Sequence, residues 1–149
     1  TILNILHGKK VPIYGNGMQI RDWLFVEDHI KALILIAQKG IENRDYCLGG
    51  DSELTNLTLI KKIIDIMNKK TQNNYSYDEL ISFVEDRPGH DLRYAIDFQK
   101  IKKELGWEPS FDFENSLEET VDWYINNKTW CEKVLKMGKY NSERLGTIN

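Results

Sequence analysis

The chain is 149 residues long, 41% hydrophobic and 29% charged, which suits one ordinary globular domain with room for a sizeable core. Its 23 acidic and 20 basic residues leave a formal charge of −3, which excludes bulk electrostatic attraction to nucleic acid or an anionic membrane. Any anion site must therefore be local.

Cys47 and Cys131 lie far apart, without CxxC spacing or a neighbouring histidine, so neither a disulfide framework nor a zinc site is indicated. Reduced cytoplasmic thiols fit best. The longest apolar runs fall short of the roughly 18 residues that span a bilayer, and the first residues carry no charged leader or cleavage site. The expectation is a cytoplasmic chain with no membrane partner.

In chain order, Thr1–Gly8 has apolar residues at 2, 3, 5 and 6 followed by glycine, the pattern of a helix end. No start signal precedes it, which points to a chain that begins inside a larger domain. Val11-Pro12-Ile13-Tyr14 is a short β-like run, with Pro12 favouring an edge, closed by the turn Gly15-Asn16-Gly17. Ile20 to Val26 is the next extended candidate. From about Glu27 the period becomes helical, with Ile30, Leu33, Ile34 and Ala37 at helical spacing and Gly40 as the stop.

Tyr46-Cys47-Leu48 reads as a short strand before Gly49-Gly50. Thr55 is placed to cap a helix whose Leu59, Ile60, Ile63, Ile64 and Met67 form one apolar stripe, with Lys61, Lys62, Lys69 and Lys70 outside. Residues 71–78 read as loop, and Ile81 to Val84 alternates weakly. Asp97 caps a small helix with Ile101 and Leu105 buried and Gly106 as terminator; Pro109 prevents its continuation. Asp112 caps the last major helix, carrying Leu117, Thr120, Val121, Tyr124 and Ile125. Trp130, Val134 and Leu135 suggest a further amphipathic turn or two, and the polar tail from Gly138 is expected to fray.

Several motifs carry chemistry. Asp86-Arg87-Pro88-Gly89-His90-Asp91-Leu92-Arg93-Tyr94 packs two guanidinium groups, one imidazole and two carboxylates around a Pro-Gly turn. Arginine matches phosphate oxygens with a planar fork of donors, and Gly89 admits close approach of a ligand. The residues alone leave open an anion grip or a solvated charged turn. Gly15-Asn16-Gly17 imitates the start of a dinucleotide fingerprint, but Ile20 replaces the third glycine and no helix opens there to receive a pyrophosphate. Tyr124 and Lys128 have Tyr-x-x-x-Lys spacing at a helix end beyond Asn126-Asn127, where a structural tyrosine beside a solvated lysine is the better reading. His7, His29 and His90 have no metal-ligand spacing. Arg21-Asp22-Trp23 fits an internal ion pair with Trp23 in the core, and Asn56 stands at a helix start, where an anion could dock.

Pro12 to Gly17, with Ile20 to His29, resembles the carboxyl-terminal half of extended short-chain dehydrogenase/reductases that act on nucleotide sugars. Asp86 to Asp97, followed by Glu104-Leu105-Gly106-Trp107, narrows the resemblance to the dTDP-glucose 4,6-dehydratase family, and Glu143-Arg144-Leu145-Gly146 is similar to that family's terminus.

The resemblance implies an α/β fold: residues 1–149 as the carboxyl-terminal nucleotide-sugar-binding domain of a longer two-domain enzyme, lacking its Rossmann core. The family is an NAD-dependent lyase that converts dTDP-glucose to dTDP-4-keto-6-deoxyglucose by oxidation at C4, loss of water across C5 and C6, and return of hydride to C6. Its nucleotide contacts fall on Pro12, Ile13, Tyr14, Arg21 and Asn56, and on Asp86, Arg87, Pro88, Gly89 and His90. Arg21, Asn56 and Arg87 would lie near the diphosphate, aided by helix amides, with Tyr14 and His90 near the deoxyribose.

The family's NAD loop, catalytic Tyr-x-x-x-Lys and dehydrating acidic pair have no counterpart here. No catalytic, cofactor or metal residue is therefore assigned, and the chain alone is expected to be inactive and without NAD. Its expected partners are a dTDP-sugar and the missing Rossmann portion, with self-association through exposed apolar surface. The rival readings are part of another nucleotide-sugar epimerase or decarboxylase, and a non-catalytic nucleotide-sugar-binding module.

Overall fold

A computed structural model describes residues 1–71 and 76–137. The expected frayed tail and the Glu143 to Gly146 motif lie outside them.

The fold is built on α3, Asn56–Lys70. Thr55 caps it as expected, its hydroxyl accepting from the Thr58 amide at 3.1 Å, and Lys69 and Lys70 complement the dipole of the last turn. The stripe of Leu59, Ile60, Ile63, Ile64 and Met67 is buried throughout. Against it pack Ile2 and Ile5 of α1 (Ile2–Leu6), Val11 and Ile13 of β1 (Val11–Tyr14), Tyr77 and Leu80, and Val121 of α5 (Phe113–Asn126). Removing each such side chain from water contributes about 1.5–3 kcal/mol, so this cluster anchors the domain. Lys62 pairs with Glu114, and Lys70 with Glu118 and Asp122, so surface charge also joins α3 to α5.

β1 pairs in parallel with β4 (Ile81–Val84), from Val11 opposite Ile81 to Tyr14 opposite Val84. β1 has no second partner among the described residues, which is why Pro12 is tolerated there. β2 (Ile20–Asp22) pairs antiparallel with β3 (Glu53–Thr55), and Ile20 also bridges in parallel to Arg93. A second core joins Ala32 of α2 (Val26–Lys39) to Phe98, Ile101 and Trp107 around α4 (Gln99–Leu105). Gly106 ends α4 in the left-handed conformation, and Asp112 caps α5 by accepting from Asn115, both as expected.

Some expectations fail for identifiable reasons. The residues that mark the helical period of α2 do not form its buried face: Ile30, Leu33 and Ile34 are each about half accessible, while Ala32 is fully buried and Leu35 and Ile36 pack on the second cluster. The helix is apolar on two sides, and periodicity alone could not choose between them. Tyr46-Cys47-Leu48 forms no strand, because no ladder partner lies beside it among the described residues. Instead Tyr46 and Leu48 pack beneath α2, and the Tyr46 hydroxyl donates to Glu104 at 2.9 Å. The strand in that region is the more polar Glu53–Thr55. Of the loop expected over residues 71–78, Tyr77 and Asp78 instead open a 3-10 turn, Tyr77–Leu80, started by the Ser76 hydroxyl, and residues 72–75 lie outside the described residues. The last amphipathic stretch is a full helix, α6 (Lys128–Met137), with Cys131 as its buried anchor.

Candidate functional site

Parallel pairing makes β1 and β4 finish side by side, so the turn after Tyr14 and the loop after Val84 leave the sheet together. The Gly15 amide donates to the Val84 carbonyl at 2.9 Å. Gly15 sits at φ +55°, and a Cβ there would come within 2.8 Å of Asp86 Oδ2, so the turn needs glycine both for conformation and for closeness. The later part of the loop then runs along β2: Ile20 N donates to Leu92 O at 2.7 Å, and Tyr94 N to Ile20 O at 3.1 Å. On its other side β2 meets β3, which leads directly into α3. Tyr14, Arg21, Asn56 and residues 86–94 are thereby gathered from four separate parts of the chain.

Within this cluster Asp86 is a hub. Its Oδ1 accepts from the Arg87 amide at 2.9 Å and lies 2.7 Å from His90 Nδ1, while Oδ2 accepts from Gln19 Nε2 at 2.8 Å. The His90 bond, with the Arg87 amide and Gln19 adding to it, holds the Asp86 carboxyl below the ordinary aspartate range. The His90 ring meets the Tyr14 ring edge to face, with centroids 6.1 Å apart. Its side chain is only 6% exposed, so the imidazole is fixed in place.

Arg21 stacks over Tyr94 with its guanidinium carbon 4.5 Å from the ring centre, and donates to the carbonyls of Ile20 (2.6 Å) and Asp91 (3.2 Å). The Tyr94 hydroxyl donates to the Asp91 carboxylate, which raises the phenol pKa, while the charges of Arg21 and Arg87 oppose the rise. Gly89 adopts φ +69° with open space around its Cα. Pro12 is exposed, whereas the Ile13 side chain is in the core, so Ile13 has only its backbone to offer a ligand.

Two sequence-based details are corrected here. Asp22 does not pair with Arg21: its carboxylate accepts from the amides of Gly50 (2.9 Å) and Ser52 (3.0 Å), tying the loop before β3 to β2. The start of α3 does not offer its amides to an anion either. Asn56 N donates to Gln19 O, Leu57 N to Gly17 O, both at 2.9 Å, and Thr58 N to Thr55. The turn after β1 occupies that helix end, leaving the Asn56 side chain and the field of the helix.

Sequence reasoning missed Gln19, which is 5% exposed and joins the two loops. An uncharged residue beside a Gly-x-Gly turn carries no signal of such a role. Tyr94 and Asp91 lay inside the stretch of interest without an assigned part. Tyr124 packs in the core at the end of α5 and Lys128 opens α6 beyond Asn127, so no single helix aligns them as a catalytic pair. The Gly15 to Gly17 turn leads into β2, so these residues do not fit the pyrophosphate of NAD. No cluster of three or more potential metal-ligating side chains occurs among the described residues.

Residues 1–120 match the model of the family described as GDP-mannose 4,6 dehydratase. The chain belongs to that family. It is 49% identical to a dTDP-glucose 4,6-dehydratase of Neisseria meningitidis, covering 98% of this chain and 42% of that protein. It is 47% identical to dTDP-glucose 4,6-dehydratase 1 of Escherichia coli K12, covering 95% and 39%. The Bacillus anthracis dTDP-glucose 4,6-dehydratase solved in complex with NAD superposes with a TM-score of 0.74 at 41% identity, over 87% of this chain and 39% of that one. The Thermotoga maritima UDP-glucose 4-epimerase solved with UDP-glucose gives 0.72 at 27% identity, over 85% and 38%. The chain spans about two fifths of these relatives, their carboxyl-terminal part, with the mixed helix and strand fold that the resemblance implied.

Proposed function

We propose that residues 1–149 form the nucleotide-sugar-binding part of a dTDP-glucose 4,6-dehydratase. The observation that carries this reading is the convergence of Tyr14, Arg21, Asn56, Arg87 and His90 on one surface, although the chain separates them widely. A diphosphate needs fixed cations, and Arg21 is held by two carbonyls and a ring while Arg87 makes no side-chain hydrogen bond or ion pair among the described residues. Tyr14 and His90 supply an aromatic corner suited to the sugar of the nucleotide. Pro12, the Ile13 backbone, Pro88 and Gly89 shape the wall.

In this reading NAD supplies hydride transfer and is held by a Rossmann portion outside these 149 residues. The exposed side of α2, with Val26, Ile30, Leu33 and Ile34, is the apolar surface that such a portion would cover. The isolated chain then binds nucleotide without turning it over, and its uncovered apolar face promotes self-association. Free Cys47 and Cys131 suit a reducing cytoplasm. No described helix is long and apolar enough to cross a membrane.

Calorimetric titration of the 149-residue chain with dTDP and UDP tests the reading. It expects saturable binding with dTDP preferred. Preference for UDP would favour an epimerase or decarboxylase, and absence of heat with a folded chain would remove the claim for the isolated domain.

A further inference from the structure

The Asp86 carboxylate sits among groups assigned to an anion, where its charge would oppose a diphosphate, yet both of its oxygens are already engaged within the protein. Gln19 is nearly fully buried and spends its amide N–H on Asp86 Oδ2, while its own Oε1 is buried with no hydrogen-bond partner. That arrangement fixes the amide orientation, because turning it over would set oxygen against carboxylate oxygen. An orphaned buried oxygen is unfavourable, and the bond to Asp86 is the interaction it accompanies. Gly15 completes the setting, since any larger residue would press on Asp86 Oδ2.

We propose that Gln19 and Asp86 are positioning residues that act through His90 and do not touch the nucleotide. The claim rests on the nucleotide-binding reading of this site and refines it: Asp86 leaves the set of ligand contacts. A carboxylate 2.7 Å from His90 Nδ1 fixes the proton on that nitrogen. The neutral ring then turns Nε2 away from the hub, and the Tyr14 ring limits its swing. Gln19 prevents the carboxylate from rotating, so the turn after β1 sets the angle at which the loop after β4 presents its imidazole. Residues on two different loops thus define one ring orientation.

Multiple-bond proton–nitrogen correlation spectra of the labelled 149-residue chain test this directly. In the neutral ring, His90 is expected as the Nδ1–H tautomer. Gln19→Met and Asp86→Ala should each weaken that preference, whereas Asp86→Asn should keep it, because the amide oxygen still accepts from Nδ1 and Gln19 can turn over to meet the new N–H. Affinity for dTDP should fall about tenfold in Asp86→Ala, and the same change in a His90→Ala background should cost nothing further.

An Nε2–H tautomer in the unmodified chain would overturn the proposal, and this arm needs no ligand. Equal losses of affinity with and without His90 would show direct contact by Asp86 and would overturn it as well. A chain with the expected tautomer that binds no dTDP would instead count against the nucleotide-binding reading.

Discussion

The Arg21 guanidinium lies over the Tyr94 ring, 4.5 Å from its centre, while its own carbonyl contacts hold it from behind. The stack joins β2 to the loop that follows β4, and it gives Arg21 a single orientation. A cation–π contact at such a site contributes about 0.5–1 kcal/mol, so Tyr94→Ala should weaken dTDP binding about two- to fivefold. Tyr94→Phe keeps the ring and should bind nearly as the parent. Calorimetry on the two variants separates stacking from the hydroxyl.

Acid should loosen this side of the molecule in a defined direction. Asp86 is held below the ordinary aspartate range chiefly by His90, and Glu53 below the glutamate range by the two-point bond from Arg93 at 2.6 and 2.7 Å. For a depressed carboxyl the stabilisation is fully present above its unfolded pKa, about 4, and is lost as pH falls through the lower folded value. Thermal melts between neutral pH and about pH 3 should therefore show a smaller acid loss for Glu53→Gln and Asp86→Ala than for the parent. Parallel curves would contradict the assignment.

The cap at Thr55 is a local contributor that can be removed cleanly. Thr55→Ala loses the bond to the Thr58 amide and should destabilise the domain by about 1 kcal/mol in denaturant melts. Thr55→Ser should retain most of it. In the core, Ile64 has no exposed surface, and Ile64→Ala should cost about 2–5 kcal/mol against about 0.5–1.5 for Ile64→Val.

The uncovered side of α2 should govern association. Leu33 and Ile34 are each about half exposed on the same helix as Val26 and Ile30. A Leu33→Glu, Ile34→Lys double variant should shift sedimentation toward monomer while leaving the helical signal unchanged, because neither side chain belongs to either core cluster. A parent chain that sediments as a monomer at high concentration would count against association through this face.

Local signals made the helices legible. Thr55, Asp112 and Gly106 each mark a boundary with a specific bond or backbone angle, and the α3 stripe admits one buried face only. Strands were harder to read because a strand exists only with a partner. Tyr46 to Leu48 has the right residues but no ladder partner among the described residues, whereas Glu53–Thr55 is polar and pairs with Ile20–Asp22. The site was legible in its charged loop, since arginine and Pro-Gly stand out in a sequence. Gln19 did not stand out, because its role depends on the parallel register that brings two loops together. The closed amide end of α3 was equally hidden, as the carbonyls of Gly17 and Gln19 reach it only through the fold.

A dTDP titration followed by amide chemical shifts asks whether residues far apart in the chain form one nucleotide site. Saturable shifts are expected at residues 12–21, at Asn56 and along 86–94, and these shifts should be lost in Arg87→Ala. Shifts confined to other surfaces, or a folded chain whose spectrum does not change with dTDP, would contradict it.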